Sequence, residues 1–475
     1  LGDFFGAGVR EKAVITPEVQ KLADEITAGL KSPEEQAAAI YQWVNKNIRY
    51  LLVVLDRGGW VPHSTTEILK NGYGDCKDYT TLIHALLKAK GIDSTPVLIN
   101  ADFGTWFPKV PTMSYFNHAI LYVPSLKLFA DATAPNTRLG IIPAQLVGKT
   151  GLLSSEKSAL IELPKNDPDS NQVTSDIEIE LAENGDLKAI SKNTIAGRTE
   201  MAVRPLFANY TRYVPADSLV KVILAFYGIN GTGRVLSISD PHAVSEPFEL
   251  SMEVNDPDYT TLGPKGTVTL PVGMNMNSMS VYEMFTKEEK RNTDLIVGAA
   301  RLRERYLLKL PASAAFAELP AAVKFSNAAG QLTSTYSRVD GGVELVRELV
   351  IAKDTYTPAE YPLFKELIRQ TVESLNSSVA YTSDPKLFKS KPAARRPAAK
   401  PAKTGMEAAL SALLPGLDDG KLTAAQARKL EAKVIAEPDD TESRIRLLRH
   451  FLAVPTQTSR PNTRHSVMSG SSRSR

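Results

Sequence analysis

The chain of 475 residues has one cysteine, Cys76. A single thiol cannot close an internal disulfide, which excludes a disulfide-stapled framework. It also excludes the cysteine-rich zinc sites of fingers and ribbons. Long apolar runs are missing too. Nothing approaches the roughly 18 residues that a membrane-spanning helix needs, and stretches such as Leu51–Leu55 are strand-sized. Compositional bias is absent: 43% hydrophobic and 23% charged residues argue against a collagen, a coiled coil or a wholly disordered chain. At about 150 residues per domain, the length suits about three domains.

Charge is present but unevenly spread. The net charge is +3, yet Lys386–Lys403 holds seven Lys/Arg and no acid, and Pro455–Arg475 holds four Arg and no acid. Without those eleven cations the remainder carries −8. A mildly acidic body repels polyanions, so no nucleic acid is expected at the core. Lack of disulfides does not fix a compartment. The first residue is leucine, which is compatible with a fragment or with a processed, exported form.

Periodicity divides the chain further. Residues 1–31 read as an N-terminal remnant. Ser32-Pro33-Glu34-Glu35 is a capping box with proline in the first turn, and Ile40, Trp43, Val44 and Ile48 recur at helical spacing behind it. An apolar segment, Tyr50–Leu55, follows. Gly72-Tyr73-Gly74-Asp75 reads as a turn into a helix with Tyr79, Ile83, Leu86 and Leu87 on one face and Gly91 at its end. Strands are expected at Pro96–Asn100, Phe116–Val123 and Leu126–Ala130. Residues 32–153 therefore read as α+β, with helices packed on an antiparallel sheet. Residues 172–385 read as β-rich with a few helices: Ile177, Ile179 and Leu181 alternate with acids up to an Asn184-Gly185 hairpin turn. Helices are expected at Ala216–Tyr227, ending at Gly228, and at Pro358–Leu375 behind Thr357. Residues 386–404 are a basic Pro/Ala linker, 405–454 a small helical segment and 455–475 a disordered tail.

Cys76 follows Gly74-Asp75 and opens a helix. Unpaired N–H groups and the partial positive charge there favour a thiolate, Lys77 adds to the effect, and the same N–H groups can stabilise an oxyanion. A nucleophilic thiol needs a base and a group to orient it. His84 lies eight positions on along the same helix, or ~12 Å away. His63 sits in a Pro-His turn, His242 in the β-rich region, and His450 and His465 beyond the linker. His118 lies in a strand of the same domain. Asp131 ends the next strand, and a tight turn at Pro124-Ser125 places it opposite His118. Asp131 then fixes the tautomer of the ring. Asp75 and Asp78 flank the thiol; capping of the helix explains them better than calcium binding, so no metal is expected. Trp60 and Asn117 are further candidates for the cleft, as are Gly74 and Lys77.

Three segments carry a resemblance: Tyr73-Gly74-Asp75-Cys76-Lys77-Asp78, Phe116-Asn117-His118-Ala119 and Phe129-Ala130-Asp131-Ala132-Thr133-Ala134. Together they resemble the transglutaminase-like superfamily, and in particular bacterial proteins that join such a papain-like core to β-rich domains of unknown function. The resemblance covers residues 32–153 well and extends less specifically to about Tyr381. It implies Cys76 as nucleophile, His118 as base and acid, and Asp131 as orienter, acting without a cofactor on a peptide or protein substrate. It also implies a cell-envelope or periplasmic location. Two departures stand out. Few residues precede Ser32, where such proteins carry a further β-rich domain, and Ala130-Asp131-Ala132 replaces the usual aromatic-proline context. Two functions compete: cysteine-dependent acyl transfer, hydrolysis before cross-linking, and a non-catalytic envelope scaffold.

Overall fold

The computed structural model describes residues 1–51, 59–104, 107, 112–213, 216–226, 229, 231–257, 259–271 and 279–384, and beyond these 423, 426, 428–430 and 433. The chain forms two compact units, Leu1–Ala409 and Leu410–Arg475. Most of the apolar Tyr50–Leu55 segment lies outside the described residues, as do Gly228, the basic linker, the Arg/Ser tail and nearly all of 405–454. In the second unit the described residues Gln426, Arg428–Leu430 and Lys433 are helical. Thr423 and Gln426 bond reciprocally at that helix start.

The first unit opens with α1 (Gly2–Lys12), α2 (Pro17–Ile26) and α3 (Pro33–Asn47). Residues 1–31 are thus an integral part of the core, because Phe5, Val9, Val19 and Ala23 are buried in the same cluster as Ile40 and Val44. Ser32 caps α3 with Glu35 in the expected capping box. There follow β1 (Arg49–Tyr50), α4 (Thr65–Asn71), β2 (Tyr73–Gly74) and α5 (Cys76–Ala89). The expected turn at 72–75 is therefore two devices in sequence. Gly72 ends α4 at φ +67, and Tyr73–Gly74 then pairs in parallel with β1.

Five antiparallel strands complete this region: β3 (Thr95–Ile99), β4 (His118–Val123), β5 (Leu128–Ala130), β6 (Thr150–Leu153) and β7 (Ala159–Glu162), in the order β5-β4-β3-β6-β7. Alternation splits their side chains. Leu98, Ala119 and Leu121 face the helical cluster, while Val97, Ile99 and Ile120 join a second cluster behind the sheet. Helix α5 buries Leu82, Ile83, Leu86 and Leu87 to 2% exposure or less. At about 1.5–3 kcal/mol for each such side chain, this anchoring fixes the helix and so the position of Cys76 at its first turn.

The β-rich region contributes β8 (Gln172–Leu181), β9 (Leu187–Ile195), α6 (Thr199–Tyr213), α7 (Ala216–Phe226), β10 (Thr232–Ile238), β11 (Phe248–Asp256), β12 (Lys265–Thr269) and β13 (Leu295–Ile296). It continues with β14 (Ala300–Lys309), β15 (Ala314–Phe316), β16 (Val323–Asn327), β17 (Gly330–Val339), β18 (Gly342–Ile351), β19 (Thr355–Tyr356), α8 (Tyr361–Leu375) and β20 (Ser378–Ser383). Eight strands form one sheet in the order β10-β11-β9-β8-β14-β18-β17-β16, antiparallel except at β8–β14. Helix α8 begins three residues later than the Thr357 cap suggests. A start at Pro358 would place Pro362 where the ladder needs its N–H, whereas in α8 it occupies the first turn. Thr357 and Glu360 still bond reciprocally, around the preceding turn.

Candidate active site

The site is built on the start of α5. Asp75 is the N-cap, and its carboxylate accepts the N–H groups of Lys77 at 3.1 Å and Asp78 at 3.3 Å. Asp78 returns the bond by accepting the Asp75 N–H at 3.1 Å. The Lys77 ammonium pairs with the second Asp75 oxygen and is buried with it. Its charge is therefore matched within the cap. Asp78 also receives the His63 backbone N–H at 2.8 Å and the His63 ring nitrogen at 3.0 Å, which ties the upstream Pro-His turn to the helix start. Gly74 serves proximity where a sharp turn was expected. It is extended within β2, and a Cβ there would lie 2.6 Å from the Asp78 Cβ. Cys76 is half-buried in this frame.

His118 opens β4, against which α5 packs. Its Nε2 lies 2.9 Å from Asp131 Oδ2, and Cys76 is near enough to favour the protonated ring. With Nε2 on the carboxylate, Nδ1 is the nitrogen left for the sulfur. The route to this contact differs from the expected register. The β4–β5 turn is two residues longer than Pro124-Ser125: Lys127 adopts φ 53, and Leu121 pairs with Ala130. Asp131 thus sits diagonally to His118 across the hairpin, a separation that a long aromatic side chain spans.

The loop after Asp131 is held tightly. Asp131 Oδ1 accepts the Thr133 N–H at 3.2 Å and its hydroxyl at 2.6 Å. The Tyr41 hydroxyl donates to the Asp131 carbonyl at 2.8 Å, and Asn45 donates to the Ala132 and Ala134 carbonyls at 2.8 and 2.7 Å. These bonds from α3 replace the missing aromatic-proline context. Burial disfavours the charged forms of both His118 and Asp131, but mutual attraction overrides it. The Asp131 charge and hydrogen bond, together with Cys76, push His118 up to about 10. Asp131 is held below its usual value by His118 and Thr133.

The remaining candidates have local roles. Asn117 accepts the Ala101 N–H at 2.7 Å and pins the start of β4 to the end of β3. Trp60 is half-buried against the helical cluster. His84 bonds Ser94 at 2.8 Å, away from the thiol, and His242 meets Asn136 at 2.9 Å. His450 and His465 lie outside the described residues. Tyr41 and Asn45 escaped sequence analysis because they act across about 90 positions. Only the Asp131–Thr133 link had a local signal, the i to i+2 spacing of an Asx turn. Among the described residues, no group of three or more His, Cys, Asp or Glu side chains is arranged to hold a metal ion. No described helix is long and apolar enough to cross a membrane.

Comparison with known proteins agrees with this architecture. Residues 20–105 match the transglutaminase-like superfamily, and residues 267–381 match a domain of unknown function with a solved structure, DUF3858. A crystal structure of a candidate protease from Parabacteroides distasonis superposes with a TM-score of 0.51 at 14% identity, over 80% of this chain and 58% of that chain. The chain therefore spans less than two thirds of that protein, and the likeness is one of fold. No curated protein matches. The architecture is thus a transglutaminase-like core joined to a β-rich domain of unknown function.

Proposed function

We propose that the protein is a cysteine-dependent acyl-transfer enzyme that cleaves peptide-like amides, with Cys76 as nucleophile, His118 as acid and base, and Asp131 as orienter. The observation that carries this reading is the His118 ring, bonded to Asp131 and favoured in its protonated form by Cys76 at the first turn of α5. In the proposed sequence, the Cys76 thiol gives its proton to His118, the sulfur adds to the amide carbonyl, and the C=O electron pair moves onto oxygen. As the intermediate collapses, the C–N bond breaks and the imidazolium gives its proton to the leaving amine, leaving a thioester. The neutral ring then takes a proton from water, whose oxygen attacks the thioester; the C–S bond breaks, which frees the acid and returns the electron pair to the Cys76 sulfur. Asp131 keeps Nδ1 aimed at the sulfur throughout. The match to the transglutaminase-like superfamily and the fold shared with a candidate protease support a peptidase-like role. The resemblance to exported bacterial proteins favours work in the cell envelope.

The test is a peptide library incubated with and without a fluorescent primary amine. Cleavage that disappears in Cys76→Ala is the expected result. Amine incorporation in place of cleavage would make the protein a cross-linking enzyme. Equal behaviour of wild type and Cys76→Ala would leave a scaffold.

A further inference from the structure

The loop after Asp131 is gripped from two sides. Helix α3 holds one side through Tyr41 and Asn45, and Asn45 also accepts the Asn136 N–H at 3.0 Å. The β-rich region holds the other. The His242 ring N–H donates to Asn136 Oδ1 at 2.9 Å, and the Arg138 guanidinium pairs with Glu200 at the start of α6. Thr137, between these two anchors, is buried and shares a hydrogen bond with the Tyr41 hydroxyl at 2.9 Å. Glu200 is fixed in its turn. It accepts the Gly197 N–H at 2.9 Å and the Arg204 Nε–H at 2.8 Å. Arg204 is fully buried and donates to the Ala243 and Glu246 carbonyls, so the same arginine holds the segment that carries His242. Glu200 is itself only 3% exposed. Pairing of buried charges is a weak source of stability. What an arginine–carboxylate pair fixes is geometry, because its planar donors match the carboxylate in few arrangements.

We propose that Glu200 is a positioning residue for the acyl-transfer centre: through Arg138 it latches the loop of Asp131, and so the His118 ring, to the β-rich region. This rests on the acyl-transfer reading and gives the β-rich region a part in it. Glu200 touches no reacting atom. Arg138 lies seven residues past Asp131, and the intervening chain is short enough to carry the constraint. With the latch cut, the loop keeps only its bonds to α3 and His242, and Asp131 Oδ2 samples a wider range of distances from His118 Nε2. Attraction to Asp131 then favours the imidazolium less, and the ring is aimed less sharply. Misplacing a reacting group by ~1 Å costs on the order of 10²-fold in rate.

The full chain is compared with Arg138→Met and Glu200→Gln. Arg138→Met removes only the core end of the latch, from a side chain 28% exposed, and leaves Glu200 bonded to Arg204 and Gly197. It decides the matter should Glu200→Gln fail to fold. One readout is the acylation burst with p-nitrophenyl acetate. The other is the NMR titration of the His118 imidazole, assigned by its absence from His118→Asn. The charges facing that ring are Asp131 on the loop after β5 and Cys76 on α5. The expected result is a Cys76-dependent burst slowed by ~10-fold or more, together with a His118 midpoint lowered by ~1 pH unit or more. A latch that served stability alone would leave that midpoint in place in the folded protein. A wild-type midpoint in folded Arg138→Met, beside an intact wild-type burst, would overturn the proposal and spare the acyl-transfer reading. So would a lowered midpoint with a burst slowed by less than ~10-fold. A wild-type protein with no burst dependent on Cys76 would sink the acyl-transfer reading, and the role of Glu200 with it.

Discussion

The transglutaminase-like core and the β-rich region each bury an ion pair, and the two pairs have opposite surroundings. In the core, His118 and Asp131 are 10% and 2% exposed, and the half-buried Cys76 acts on the ring as well. In the β-rich region, Arg347 and Glu304 face each other across β18 and β14 at 3.0 Å, only 3% and 2% exposed. There two further donors of the arginine end on Ser374 of α8, at 3.1 Å to its hydroxyl and 2.7 Å to its carbonyl. One pair is open toward a half-buried thiol and the other is enclosed by protein. Burial of charge is common to both, so burial alone does not mark a site. A reacting atom within reach of solvent does.

Substitutions can break this comparison. Cys76→Ala is expected to abolish thiol-dependent turnover, a loss on the order of 10³-fold or more, while the melting temperature stays near wild type. Retained turnover, measured on the cleaved peptide, would equate the two pairs. Asp131→Asn should lower kcat by about 10³–10⁴-fold, because the ring loses the partner that sets its tautomer. Rates near wild type in that variant would remove Asp131 from the site. Arg347→Met should leave turnover per folded molecule unchanged and cost about 3–5 kcal/mol, since it removes one partner of a buried ion pair. Urea unfolding measures this, and a cost near zero would show that the enclosed pair is not enclosed.

The pH dependence sharpens the contrast. The folded-state pKa of His118 lies above its ordinary 6.5, at about 10. Its contribution to stability is therefore complete below pH 6.5 and is lost as pH rises through about 10. Asp131 is displaced downward, so its contribution holds above its ordinary 3.8 and is lost as pH falls below that. Melting curves recorded from pH 6 to pH 10 should show a decline that is missing in His118→Asn. The smallest effect is expected from Asn117→Ala. It removes one bond to the Ala101 N–H, worth about 1 kcal/mol, and should leave kcat unchanged. A large fall in kcat would return Asn117 to the cleft.

Much of this was legible where the physics is local. The Ser32 and Asp75 capping boxes, the faces of α3 and α5, and the alternation along β8 and β9 all follow from contacts within a few positions. The extra turn residue at Lys127 was not legible, because a left-handed lysine has no local signature. The start of α8 was misjudged because two helix-start signals overlap, and only Pro362 decides between them. The helices in residues 1–31 were missed because their amphipathic faces take meaning only from the core they cover.

Amino-acid order alone determined the thiol at a capped helix start and the presence of a histidine strand and an aspartate after it, since capping and pleating act over three or four residues. Only the tertiary structure decided that Asp131 reaches His118 diagonally and that Tyr41 and Asn45 on α3 hold its loop. Those contacts join positions tens of residues apart. Their geometry exists only once the apolar faces of the helices and the sheet have packed together and excluded water between them.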